Sequence, residues 1–326
     1  MLAPAKPELT VILAAVDDYE TVAETIRAVE DQTAVDQLEL LIVLDAFARF
    51  SAPADFAARH PRARVFEAGR PLLLNEARAI GIDNANADFV FLLEDHCLPT
   101  RDCMARVIER IREGRWAVIG PAIVCGNRHS VYGKAANLLT YGEWMGFEQG
   151  QERRYVSGYS SAWRREALRR LDCPLGAELA IPSRLQERLR EAGEHLFFEA
   201  RAVMLHWEAS HLRDVSRILW GQGTGMGFIR HGSSKVAGKV MASLLFPALV
   251  LHRTLRGCRA WLRTRTRSLR VLFALPLLAL IWSSSEILGY WTRRGPEALR
   301  GVSEVERKRQ PFIDATREPI ARPWAT

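Results

Sequence analysis

Phe89-Val-Phe-Leu-Leu-Glu-Asp-His-Cys-Leu-Pro99 decides how this chain reads. An apolar run with aromatic and β-branched members leads straight into Glu94, Asp95 and His96, and Pro99 ends it. A run this short and apolar predicts a buried strand. Its acidic and imidazole groups then stand at the strand's C-terminal end, the edge of an open α/β sheet where ligands bind. Carboxylates beside an imidazole suit a divalent cation, and a cation suits phosphates. The plainer alternative is a strand followed by a polar turn that caps a helix.

The rest of the chain gives this edge a context. With 326 residues, 48% of them apolar, it is long enough for one large α/β domain and an appendage. A net charge of +7 and a pI near 9.4 fit nucleic acid, anionic lipid or phosphorylated substrates, and choose none of them. Five cysteines at irregular spacing form no CxxC pair and no zinc pattern, which predicts a reduced, cytosol-facing chain. The first residues, Met-Leu-Ala-Pro-Ala-Lys-Pro, lack the apolar core of a signal peptide.

Before Phe89, strand and helix patterns alternate. Thr10 to Val16 is an apolar run closed by Asp17-Asp18, and Tyr19 to Gln32 places Val22, Ile26 and Val29 at helical spacing. Leu38 to Leu44 is a second strand ending in Asp45. Val65-Phe66 is a short third strand, and Leu72 to Ala85 a helix with Asn75 and Arg78 near its start. This order predicts a parallel sheet with helices on both faces.

These residues resemble the nucleotide-sugar-binding half of family 2 glycosyltransferases, which have the GT-A fold. The family's Asp-x-Asp followed by Pro is matched by Glu94-Asp95-His96 and Pro99. The preceding helix is matched by Asn75, Arg78, Gly81 and Ala85, and the second-strand ending by Asp45. Two positions depart: Ala14-Ala15-Val16-Asp17 replaces the usual Pro-x-Tyr/Phe-Asn, and Glu94 and His96 replace the two aspartates. A histidine nitrogen suits Mn²⁺ better than Mg²⁺. The resemblance implies an α/β, GT-A-like fold with a mostly parallel sheet over roughly residues 8 to 230. It implies that Val16, Asp45, Asn75, Arg78, Glu94, Asp95 and Gly158 bind the nucleotide sugar. It also implies that Asp95, His96 and His206 hold a divalent cation, Mn or Mg.

Downstream, Trp116 to Val124 predicts another strand. Tyr132, Tyr141, Trp144, Met145 and Phe147 form an aromatic group that suits sugar rings, lipid chains or a core equally. Arg154 to Leu168 resembles the family's strand-into-helix segment, where Gly158 permits close approach to the donor sugar. Gly176, Glu178 and Arg184 stand where the family has Gly-Glu-Asp and a later Arg, although Leu179 replaces the second acid. By this match Glu178 is the expected base for the acceptor hydroxyl; the alternative is a helix-initiating Glu. His206 follows the strand at Phe197 to Leu205, with His211 in reserve and Arg213 and Arg217 facing phosphate or water. Glycines at 221, 223, 225 and 227 suggest a mobile loop over the donor, with neither Walker nor dinucleotide spacing. The Gln-x-x-Arg-Trp of processive synthases is missing, which favours single-sugar transfer.

Composition shifts near Lys235. Val240 to Leu251 and Val271 to Trp282 are apolar but short of the ~20 residues a span needs, unless the second runs on to Trp291 past Glu286. Seven arginines lie between them with no acidic residue, as in a lipid-facing cytoplasmic connection. The expected organisation is a transferase domain over 1–234 (donor half 8–100, acceptor half 101–234), a membrane-associating helical region over 235–292 and a polar tail over 293–326. The expected protein is a metal-dependent, inverting glycosyltransferase on the cytoplasmic face of the cell membrane. Its partners are a nucleotide-sugar donor, a sugar or lipid-linked acceptor and the membrane surface, without nucleic acid. The alternatives are a catalytically degenerate scaffold and a sugar nucleotidyltransferase; Asp17-Asp18-Tyr19, where the latter class has a Gly-rich basic loop, counts against it.

Overall fold

The computed structural model describes residues 6–14, 18–127, 129–231, 234–264, 268–292 and 294–307. In chain order the elements are β1 (Leu9–Ala14), α1 (Tyr19–Glu30), β2 (Leu38–Leu44), α2 (Phe56–Arg59), β3 (Ala63–Glu67), α3 (Leu74–Asn84), β4 (Phe89–Leu93), β5 (Cys97–Pro99) and α4 (Cys103–Ile111). There follow β6 (Trp116–Cys125), α5 (Val131–Thr140), β7 (Gln151–Glu152), β8 (Ser161–Arg164), α6 (Arg165–Arg170), α7 (Leu175–Glu178), α8 (Pro182–Glu191) and β9 (His195–His206). The helices α9 (Leu212–His231), α10 (Val236–Leu244), α11 (Phe246–Arg263), α12 (Leu269–Trp291) and α13 (Gly295–Arg307) complete it. Two compact units divide the chain. One holds the described residues up to Val124 together with Phe147–Leu205; the other holds Cys125–Gly146 and those from His206 onward.

The first unit is built on the predicted apolar runs. β2 and β4 are buried at every residue, as strands covered on both faces must be. The sheet runs β3-β2-β1-β4-β8-β6-β9-β5, with β7 beside β9. β3, β2, β1 and β4 pair in parallel, Ala14 opposite Val43 and Leu13 opposite Leu93. The C-terminal ends of β1, β2 and β4 therefore share one edge, which carries Asp45 and Glu94. β8 pairs antiparallel with β4 and β6, so the sheet is mixed. Strand–helix alternation predicts only its parallel half, because β8 arrives from about 70 residues downstream, beyond the reach of local pattern.

Helices seat the edge. Asp18 caps α1 by accepting a hydrogen bond from Tyr19 N at 2.6 Å, and α1 buries Val22, Ile26 and Val29. On α3, a Cβ at Gly81 would lie 2.6 Å from Ile12 Cγ2, so only glycine lets the helix pack this close to β1.

The second unit is helical. The glycine run at 221–227 lies inside α9, not in a loop. A side chain at Gly223 would overlap Ser285 Oγ, and one at Gly227 the Glu286 carbonyl oxygen, so these glycines bring α9 against α12. The reading of this segment as a mobile loop is thus corrected: tertiary packing outweighs the low helix propensity of glycine. α12 does run to Trp291, and it buries Glu286 by pairing it with Arg253 of α11 and Arg230 of α9. Arg256 donates to Leu139 O at 2.6 Å and Arg263 to Gly142 O at 2.6 Å. So three of the seven arginines are engaged by protein, while Arg259 and Arg270 are exposed and Arg265 and Arg267 lie outside the described residues.

Among the described residues one helix, α12, is long and apolar enough to cross a membrane by length and composition, with a mean hydropathy of 1.9 and half of its apolar window buried. α10 and α11 pass the same test only together, across a 51° bend.

Candidate active site

β4 ends at Leu93, and the three polar residues beyond it diverge in role. Glu94, His96 and Cys97 each bring one ligand atom within 4.8 Å of the others. Asp95 Oδ1 instead bonds to Nδ1 of His96 at 2.8 Å. A carboxylate accepts, so Nδ1 carries a proton, and Nε2 lies 3.9 Å from Glu94 Oε1. A carboxylate behind the imidazole is the usual support for a metal-ligating histidine. Cys97 was not legible as a member: its thiol is fully buried, 3.7 Å from Glu94 Oε2, and a lone cysteine has no spacing signal.

Asn75 and Arg78, three residues apart on α3, share a face. Arg78 Nη1 donates to Asn75 Oδ1 at 3.0 Å, and Nη2 lies 3.7 Å from Glu94 Oε1. Only 2% of Arg78 is exposed, and its Nε has no hydrogen-bond partner among the described residues. The Tyr159 ring lies 3.7 Å from the guanidinium carbon. Asp45 sits at the same edge, accepting from Phe47 N at 3.0 Å and Leu72 N at 3.4 Å.

α7 packs on α3, with Gly176 facing Glu76. At its end Glu178 Oε1 lies 3.5 Å from Arg188 and 3.9 Å from Arg184, while Oε2 is buried with no hydrogen-bond partner among the described residues. Gly158 is required by Pro182, which a side chain there would overlap. Val16 lies outside the described residues.

A family model described as Glycosyl transferase family 2 matches residues 10–172, half of the chain. The chain belongs to glycosyl transferase family 2. No curated protein matches this family 2 chain. Among solved structures similar to it is GalNAc-T7, described with UDP, GalNAc and Mn²⁺, at 16% identity and a TM-score of 0.46, covering 61% of this chain and 43% of that one. Another is the mannosyltransferase PcManGT from Pyrobaculum calidifontis, described with GDP-Man and Mn²⁺, at 15% identity and a TM-score of 0.46, covering 96% and 87%. The fold of the transferase is GT-A-like: α/β, a mixed sheet flanked by helices, with a C-terminal helical region containing one apolar helix.

In the transferase's second unit, Asn137 Nδ2 donates to Asn127 Oδ1 at 2.9 Å, which makes Asn137 Oδ1 an acceptor. His206 Nδ1 therefore donates to that oxygen at 3.0 Å. Tyr141 stacks on the His206 ring at 4.1 Å. Of the aromatic group read as sugar, lipid or core contact, Tyr141 and Trp144 pack on each other and Met145 is buried here, and Phe147 packs on Phe198 in the first unit. His211, Arg213 and Arg217 are exposed.

Proposed function

We propose that this transferase moves a sugar from a nucleotide-activated donor to an acceptor hydroxyl at a membrane surface, with inversion and with a divalent cation. The observation that carries the reading is Arg78: a buried guanidinium at the C-terminal edge of a parallel sheet, with five N–H donors and, among the described residues, one hydrogen bond and an ion pair at 3.7 Å with Glu94. A diphosphate is the chemistry that satisfies such a group. Asn75 orients it, and Asp45 is assigned to the base or ribose, with Val16 and Gly158 beside the donor as the family resemblance implies.

Glu94, His96 and Cys97 fit a cation. Ligands of a first-row ion stand about 2.0–2.3 Å from it, so a shell spans roughly 4 Å, near the separations here. A mixed oxygen, nitrogen and sulfur set suits Mn²⁺ better than Mg²⁺. Asp95 supports the site through His96. His206 is assigned as a further ligand, as the family resemblance implies. Such a cation would offset the charge that develops on the departing diphosphate.

Glu178 is assigned as the base. As the acceptor oxygen bonds to the anomeric carbon, its proton passes to the carboxylate, and the nucleoside diphosphate leaves with the electron pair of the broken bond. The unpartnered Oε2 supports this role. The arginine contacts of Oε1 and the presence of Leu179 favour a second reading, a non-catalytic partner subunit in which Glu178 only anchors α8.

Membrane association is assigned to the helical region, supported by α12 and by exposed Leu262, Leu269 and Phe273, the last 82% accessible. The test is nucleoside diphosphate release from UDP-, GDP-, CDP- and dTDP-sugars, with liposomes and with Mn²⁺ or EDTA. Release from one donor class, lost in EDTA, is expected. No release from any donor by folded, liposome-bound protein would favour the partner-subunit reading.

A further inference from the structure

Tyr159 touches both α3 residues of the donor grip, Asn75 and Arg78. Its ring underlies the Arg78 guanidinium at 3.7 Å. Its hydroxyl donates to Leu179 O at 2.6 Å and stands 3.2 Å from Asn75 Oδ1, the oxygen that already accepts from Arg78. The backbone around it is tightly fixed. Ser160 holds a φ of +53°, a left-handed conformation that is costly for any residue with a Cβ, and is fully buried. Its N–H donates to Leu92 O at 2.6 Å, two residues before Glu94. Ser157 Oγ donates to the carbonyl of Tyr159 itself. The backbone beside Tyr159 is thus pinned to β4, and its hydroxyl to the residue after Glu178.

We propose that Tyr159 is a positioning residue that serves both halves of the reaction. The ring holds the Arg78 guanidinium in place for the donor diphosphate, and the hydroxyl fixes α7 and its base relative to α3. This rests on the reading that Arg78 holds the donor. The ring alone gives a desolvated cation–π contact; the hydroxyl alone spans from α3 to the carbonyl of Leu179. The two contributions therefore separate by substitution.

The test uses the full chain. UDP, GDP, CDP and dTDP are titrated calorimetrically with Mn²⁺, and the tightest binder is carried forward. Tyr159→Leu should weaken it about tenfold and Arg78→Ala at least as much, while Tyr159→Leu in the Arg78→Ala background should cost less than about twofold more, since the ring acts through the guanidinium. Tyr159→Phe should keep the donor KM within about twofold and lower kcat for diphosphate release about fivefold or more. Should Tyr159→Leu fail to fold, Tyr159→Met, of similar volume, replaces it with the same expected loss. Wild-type affinity in the Leu or Met variant, or losses that multiply independently with Arg78→Ala, would overturn the ring's role. A change in KM rather than kcat for Tyr159→Phe would overturn the hydroxyl's. If wild-type protein binds none of the four nucleotides, the donor reading fails and this inference with it.

Discussion

Asp95 and His96, adjacent in the chain, are joined side chain to side chain: Asp95 Oδ1 accepts from His96 Nδ1 at 2.8 Å. The bond orients the ring so that Nε2 stands 3.9 Å from Glu94 Oε1. The central acid of the Glu-Asp-His run therefore orients the imidazole, while its two neighbours and Cys97 converge.

Asp95→Ala should weaken Mn²⁺ binding about 10- to 100-fold, the usual effect of removing a carboxylate behind a ligating histidine. Calorimetric titration with Mn²⁺ checks it. Asp95→Asn, which keeps an acceptor for Nδ1–H, should lose less. Equal affinity in Asp95→Ala would show that the orientation of His96 does not depend on this bond.

Glu178→Gln keeps the size of the side chain and removes its basicity. Turnover should fall about 10²- to 10⁴-fold with donor affinity unchanged. Unaltered turnover would remove Glu178 from the mechanism and leave it as the anchor for Arg184 and Arg188.

Much of this was legible in the sequence. β2 and β4 occupy the apolar runs 38–44 and 89–93, and the i, i+3 pair Asn75 and Arg78 lies on the predicted helix. Local pattern reports what a strand buries, so the parallel half of the sheet and its ligand edge followed from it. Tyr159 did not, because its partners are 81 and 84 residues before it and 20 after it. Nor did the helix at 212–231: its glycines lower local propensity, and only the surface of α12 explains them.

Two glycines should respond oppositely to alanine. At Gly227 the new Cβ would overlap the backbone oxygen of Glu286, so Gly227→Ala should destabilise by about 1–3 kcal/mol. At Gly238 on α10 the nearest atom, Ser234 Cβ, is 3.6 Å away, and alanine should stabilise by about 0.4–1 kcal/mol. Melting temperatures moving in the same direction would contradict the close packing of α9 on α12.

Glu199 is fully buried between Arg110 and Arg201. Burial pushes its carboxyl up, but the hydrogen bonds from Arg201 and Arg110 outweigh it and hold it below the ordinary 4.5. A folded value below the unfolded one means the stabilisation is complete above pH 4.5 and is lost as pH falls through the lowered value. Glu199→Gln should therefore melt lower than wild type at pH 7, with the gap closing in acid. A gap that is constant with pH would contradict the pairing.

The edge carrying Arg78, Glu94 and His96 is expected to bind a nucleoside diphosphate together with a cation. Thermal unfolding with UDP, GDP, CDP or dTDP, each with Mn²⁺, Mg²⁺ or EDTA, tests it directly. One nucleotide should raise the melting temperature, more with Mn²⁺ than with Mg²⁺, and not in EDTA or in Arg78→Ala. A folded protein whose melting temperature moves with none of the four would contradict it.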